Sequence, residues 1–335
     1  MKLHRILCGA LAATVLSVPA LAADIMPANA PVKVLPIQTE VEVPAVPEFT
    51  LAQYKQLFPY RVWGTAGEIG ENRLTLNKGG EEAGELILHI SEQTIFLDAV
   101  TGEPRTLADI KEGDSLTVWT SPQTMLSLPP QSAAQVILCN IPADYAVPHY
   151  AEIQQVLERE EGKVWVLTSD NVVLKLNGET ELFAYKTRNI AGLDDLKPGA
   201  RILSWYSATT MSLPPQASPD KVMVFPYEYA GWLTASAADE VSVNGEALPV
   251  PGYVEGETLM LPVRALAEAL GCEVLWSAEE PDQVVVNQGG ENLYTLTLGE
   301  GAVAEDGVTY LAADELIELH NLKAEHHGPQ EMQEE

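Results

Sequence analysis

Residues Thr124–Gln131 read Thr-Met-Leu-Ser-Leu-Pro-Pro-Gln, and one leucine shorter the same string returns as Thr-Met-Ser-Leu-Pro-Pro-Gln at Thr210–Gln216. The surroundings repeat too. At a spacing of 86 positions, Leu107, Ile110, Gly113, Trp119 and Thr124 face Leu193, Leu196, Gly199, Trp205 and Thr210. Upstream, Leu86, Leu88, Ile90 and Thr94 meet Val172, Leu174, Leu176 and Thr180. One gap after the methionines aligns the Ser-Leu-Pro-Pro-Gln strings, and its reversal afterwards matches Val136 to Val222. A period of this length is one small domain per copy, too long for a solenoid unit.

Within each copy, short apolar runs separated by turn residues predict strands, among them Arg73–Leu76 and Ser115–Trp119 in the first and Val164–Leu167 and Arg201–Trp205 in the second. Strand-length runs at this spacing predict a small β-barrel. The expected architecture is mainly β and multidomain: two repeated small β-barrels at 60–145 and 146–232, then an α+β domain at 239–322 with a sheet packed on one helix. The strand pattern and the turn glycine of each repeat resemble the OB-like β-barrel modules of secreted bacterial proteins.

Two consecutive prolines lock the chain in an extended form and donate no backbone hydrogen bonds, so Pro129–Pro130 and Pro214–Pro215 cannot lie inside a central strand. Two roles follow. The loops are rigid crossovers that close the barrels while Leu128 and Leu213 plug their ends, or they form a recognition surface with Trp119 and Trp205. The candidate binding residues are therefore Trp119, Leu128, Pro129, Pro130 and Gln131, with Trp205, Leu213, Pro214, Pro215 and Gln216. A duplicated loop suits weak bivalent binding.

The N-terminus carries Lys2 and Arg5, an apolar stretch from Ile6 to Val18, and small residues at Ala20 and Ala22. This pattern predicts a signal peptide over residues 1–22, cleaved before Ala23, and an apolar core shorter than the about 20 residues a retained span needs. Residues 23–59, with prolines at 27, 31, 36, 44, 47 and 59, read as a semi-extended linker. The expected location is extracellular or in the cell envelope, with no integral span after cleavage. The chain has 19 basic and 48 acidic residues, a net charge of −29, which becomes −31 once the two basic residues of the leader are gone. Such a surface disfavours nucleic acid and anionic lipid as partners. Cys139 and Cys272 fall in different expected domains, so buried thiols are expected in place of a disulfide framework.

From Val241 the pattern changes. Asn244–Gly245 makes a turn, Pro262 stands at a helix start, and Val263, Leu266, Ala267 and Leu270 follow at helical spacing before Gly271. Arg264 and Glu268, on the opposite face, read as a solvated i,i+4 pair. Cys272, Val274 and Trp276 then alternate as a strand. The Asn244–Gly245 turn, the T-L-x-x-P-x-R-x-x-A-E-x-L-G string of Thr258–Gly271 and the V-x-W of Val274–Trp276 resemble the copper amine oxidase N-terminal-like domain, a stalk module of secreted bacterial proteins. The tail half departs from that pattern, with Leu311, Ala312 and Ala313 where a second V-P-x-R-like element is usual. The resemblance implies a noncatalytic envelope module, because amine oxidation in that family belongs to a separate domain with an N-Y-[DE] quinone context and a His-x-His copper pair, strings this sequence lacks.

No G-x-S-x-G elbow, H-E-x-x-H helix, phosphate-binding glycine loop or C-x-x-C pair occurs. His320, His326 and His327 fit no metal-ligand spacing, so no metal or cofactor is expected and residues 323–335 read as a disordered acidic tail. The sequence thus points to a noncatalytic envelope binding or scaffold protein whose partner is a wall polymer or another envelope protein. The alternative is a secreted hydrolase with its site assembled between the repeats.

Overall fold

A computed structural model describes residues 59–80, 83–125, 127–187, 189 and 191–325. The expected leader, most of the linker, and His326 and His327 lie outside the described residues. Among those described, no helix is long and apolar enough to cross a membrane.

The first repeat forms β1 (Tyr60–Ile69), β2 (Arg73–Lys78), β3 (Gly84–His89), β4 (Ile95–Asp98), β5 (Ser115–Met125) and β6 (Gln131–Cys139). The strands run β3-β2-β1-β5-β6, and a parallel pairing of β3 with β6, Ile87 opposite Gln131, closes the five into a barrel. β4 runs parallel to the distal half of β6. Leu74, Leu76, Leu88, Ile110, Val118 and Ile137 fill the interior.

The second repeat repeats the order with β7 (His149–Glu160), β8 (Lys163–Thr168), β9 (Val173–Asn177), β10 (Glu181–Ala184), β11 (Arg201–Trp205), β12 (Gln216–Ala217) and β13 (Lys221–Val224). Here β12 and β13 share the role of β6, one pairing with β9 and the other with β10 and β11. The break falls at Ser218–Asp220 because Pro219 has no N–H for a ladder. Each copy carries a short 3₁₀ turn, Leu107–Asp109 or Leu193–Asp195, before a glycine at positive φ: Gly113 at 88° and Gly199 at 83°. Both reverse the chain in a region that side chains disfavour.

The pairing register corrects the alignment in the last strand. Ile95 faces Val136 in the first barrel and Glu181 faces Lys221 in the second, so the one-residue gap in the proline loop persists. Val136 corresponds to Lys221, not Val222.

A separate aromatic cluster joins the barrels, built from equivalent positions of both: Leu97 and Phe183, Trp119 and Trp205, Leu138 and Met223. Tyr150 stands edge-on to Trp119 at 5.7 Å and to Phe225 at 5.3 Å, and the Trp205 Nε1–H donates to the Ala99 carbonyl at 2.8 Å. The same patch from each copy meets its counterpart, as in an isologous dimer fused into one chain.

The third region holds β14 (Gly231–Ala237), β15 (Glu240–Val243), β16 (Glu246–Ala247), β17 (Tyr253–Glu255), β18 (Thr258–Pro262), α1 (Val263–Ala269), β19 (Glu273–Trp276), β20 (Gln283–Gln288), β21 (Glu291–Thr297), β22 (Val303–Glu305), β23 (Val308–Ala312), α2 (Ala313–Leu319) and β24 (Leu322–Glu325). Three small sheets surround one core containing Leu261, Leu266, Leu311 and Leu316. This differs from expectation in three ways. The region begins at Gly231, since β14 pairs with β15 and β24. Residues 322–325 form a strand where a tail was expected from 323. Two helices are present, not one.

The second helix repeats the first at a spacing of 50: β18 leads into α1 as β23 leads into α2, and Leu261 pairs directly with Leu311 across the two strands. Asn321, at φ 51°, ends α2 where Gly271, at φ 77°, ends α1. Asparagine tolerates the left-handed region better than most side chains. The third region is tied to the second barrel by the Lys323–Glu152 ion pair at 2.6 Å and by a Glu325 carboxylate that accepts from the Val156 amide.

Candidate functional site

The Leu-Pro-Pro loops connect β5 to β6 and β11 to β12. In both, the Leu–Pro peptide is cis, at Leu128–Pro129 and Leu213–Pro214. The serine before each leucine donates to the carbonyl of the first proline, Ser127 at 2.7 Å and Ser212 at 2.8 Å. The second proline's carbonyl accepts from the barrel strand opposite, Pro130 from the Ile87 amide and Pro215 from the Val173 amide, each at 2.9 Å. The prolines thus close the barrels with the acceptor that proline keeps.

The leucines do not plug anything. Leu128 is 100% exposed and Leu213 91%, with Met211 fully exposed beside the latter. The reason is the closure itself: with the second proline's carbonyl held by the barrel strand and the first's by the loop's own serine, the residue before them projects outward. Gln131 and Gln216 lie at the strand starts, opposite Ile87 and Val173, and Gln131 Oε1 pairs with His89 Nε2 at 2.8 Å.

Trp119 and Trp205 are 3% and 7% exposed, inside the inter-barrel cluster. The structure therefore separates them from the loops as candidate binding residues: they cannot stack on an external ligand. What remains at the loops is aliphatic. No charged residue occurs between Asp114 and Asp144 or between Arg201 and Asp220, in a chain with 20% charged residues. That uncharged stretch around each loop is a sequence signal that motif reading passes over.

The histidine group separates as well. His320 is buried, and its Nε2 lies 2.6 Å from the Tyr294 hydroxyl; among the described residues no group of three or more His, Cys, Asp or Glu is placed to hold a metal. Burial pushes the His320 imidazole down to about 4, because the charged form loses its water. An unfolded histidine titrates near 6.5, so below that pH the unfolded chain takes up the proton first. The stabilisation is full above pH 6.5 and is lost as pH falls toward 4, a loss of about 3 kcal/mol. Urea unfolding at pH 7 and pH 4.5 should show it, and His320→Gln should flatten the dependence in that window; an equal slope in the variant would place the titration elsewhere.

Cys139 and Cys272 are buried thiols, as expected, and burial raises the former to about 11. Arg264 differs from expectation. It reaches Glu268 at 3.3 Å but also donates to the Val274 carbonyl at 2.8 Å, tying α1 to β19 at the rim of a groove of about 580 Å³ that includes Trp276 and Pro281.

No curated protein matches the chain. The C-terminal part, residues 242–323, matches the family model of the copper amine oxidase N-terminal domain, in agreement with the resemblance carried by Thr258–Gly271 and Val274–Trp276.

Proposed function

We propose that the protein is a noncatalytic binding or scaffold protein of the cell envelope that engages another envelope protein through its paired Leu-Pro-Pro loops. The observation that carries this reading is the outward projection of Leu128 and Leu213 from two uncharged stretches of an otherwise strongly acidic chain. Apolar side chains held rigidly in water offer burial at little ordering cost. With both tryptophans enclosed, the surface is aliphatic and suits a protein partner better than a sugar ring, which favours an aromatic face. The matched stalk-type domain, non-catalytic in itself, supports a scaffold role. The junction between the repeats, where a hydrolase site would have to assemble, is filled by the aromatic cluster.

The test is cosedimentation of the full-length protein with isolated cell envelopes. The double variant Leu128→Asp, Leu213→Asp should keep its stability within about 0.5 kcal/mol, since both side chains are exposed. Its bound fraction should fall at least about fivefold. Protease treatment of the envelopes should abolish binding, and periodate treatment should leave it. Unchanged sedimentation of the variant would return the loops to barrel closure alone.

A further inference from the structure

Each Leu-Pro-Pro loop is preceded by a methionine. In the first barrel Met125, the last residue of β5, stands opposite Gln131, the first of β6, so Met125 and Leu128 share one hairpin tip. In the second, the Thr210 amide donates to the Gln216 carbonyl at 2.9 Å and the Gln216 amide to the Thr210 hydroxyl at 3.0 Å, so Met211 and Leu213 share the equivalent tip. Both thioethers stand in water: Met125 is 55% exposed and Met211 fully so. The other two methionines among the described residues are enclosed, Met223 at 1% in the inter-barrel cluster and Met260 at 4% on β18. Cys139 and Cys272 are buried as well. Among the described residues, exposed sulfur is thus confined to the two loop tips.

We propose that Met125 and Met211 are paired oxidation sites, at which a peroxide converts each thioether to a sulfoxide and so switches off the loop surface; this rests on the binding role proposed for the loops. The sulfur lone pair attacks one oxygen of hydrogen peroxide, that oxygen's proton passes to the other, the O–O bond breaks and water leaves. Sulfur loses two electrons and the peroxide gains them. The oxidant is neutral, so a net charge of −29 does not hold it off. A thioether adds adaptable apolar surface beside each leucine, whereas a sulfoxide is a polar acceptor that an aliphatic partner surface leaves unpaired. With one site in each copy, oxidation strikes both arms of a bivalent contact. The enclosed methionines are spared, so the cores keep their packing.

The test treats the full-length protein with hydrogen peroxide, removes the peroxide with catalase, and follows both peptide masses and cosedimentation with isolated envelopes. One oxygen should add to Met125 and Met211 at least about tenfold faster than to Met223 and Met260, whose protection also reports that the fold persists. The bound fraction should fall at least about threefold, and recover when the two stereospecific methionine sulfoxide reductases and a dithiol return the sulfoxides to thioethers with release of water. The variant Met125→Leu, Met211→Leu, whatever its own starting level, should hold that level through peroxide treatment, which sets aside the methionines outside the described residues. Oxidation at the loops no faster than at Met223 and Met260, undiminished binding of the oxidised parent, no recovery on reduction, or an equal loss in the leucine variant would each overturn the proposal. Leu128→Asp, Leu213→Asp separates the two possible failures. Lost binding in that variant beside undiminished binding of the oxidised parent sinks the oxidation sites alone, while a variant that still sediments sinks the loop surface and the oxidation switch together.

Discussion

Replacing Trp205 by alanine is expected to destabilise the protein by about 3–5 kcal/mol, the cost of removing a large buried aromatic side chain without full collapse around the void. The indole contributes in three ways. It packs in the inter-barrel cluster with Phe183, at a centroid distance of 6.2 Å. Its N–H satisfies the buried Ala99 carbonyl, which alanine would leave unpaired. Lys221 Nζ lies 4.1 Å from the ring centroid, so truncation also removes one of the contacts of that cation, which keeps its bond to the Val100 carbonyl. Trp205→Phe keeps most of the apolar packing and should cost less, about 1–3 kcal/mol from the unmet carbonyl and the smaller ring. Because the cluster is what the barrels share, the alanine variant should also broaden or split the urea transition. The measurement discriminates between two readings of one residue: a surface tryptophan waiting for a ligand would tolerate alanine within about 0.5 kcal/mol.

That contrast shows where the sequence was legible. A duplicated strand pattern is written in hydrophobic spacing and turn residues, which act locally, and so the barrels and the stalk-type motif could be read from Trp119, Gly113, Thr258–Gly271 and their like. Whether a repeated tryptophan faces a ligand or its own copy depends on how two copies dock, and alternation along β5 and β11 is compatible with either. The leucines went the other way for a related reason. Apolar character suggested burial for Leu128 and Leu213, but the hydrogen-bond demands of β3 and β9 capture the proline carbonyls and leave the leucines outside. Register, too, is a tertiary property: Val136 could be slid against Val222 with a second gap, and the partners of β6 and β13 show that the first gap is never reversed. The second helix of the third region is only weakly marked in the sequence. Leu316 and Ile317 recur 50 positions after Leu266 and Ala267, yet Ala312 replaces the proline that marks the first helix start.

Leu266→Ala should cost about 2–5 kcal/mol, because Leu266 is fully buried among residues from β18, β23 and α2 and leaves a cavity when truncated. Leu316 occupies the equivalent place on α2, also fully buried, so Leu316→Ala should cost a similar amount if the two strand–helix units share one core. Arg264 provides the internal comparison. As a solvated partner of Glu268 it would be nearly neutral to remove, but its 2.8 Å bond to the Val274 carbonyl anchors α1 on β19. A charge-assisted bond that is half open to water places Arg264→Ala at about 1 kcal/mol. Arg264→Lys should recover little of this, since an ammonium lacks the forked donor that serves Val274 and Glu268 together. Urea unfolding of the full chain, followed by far-ultraviolet dichroism, ranks the variants. Equal losses for Leu266→Ala and Arg264→Ala would mean that the assigned helix face is wrong. A neutral Leu316→Ala would mean that α2 lies against the core without sharing it, leaving α1 alone to hold the three sheets together.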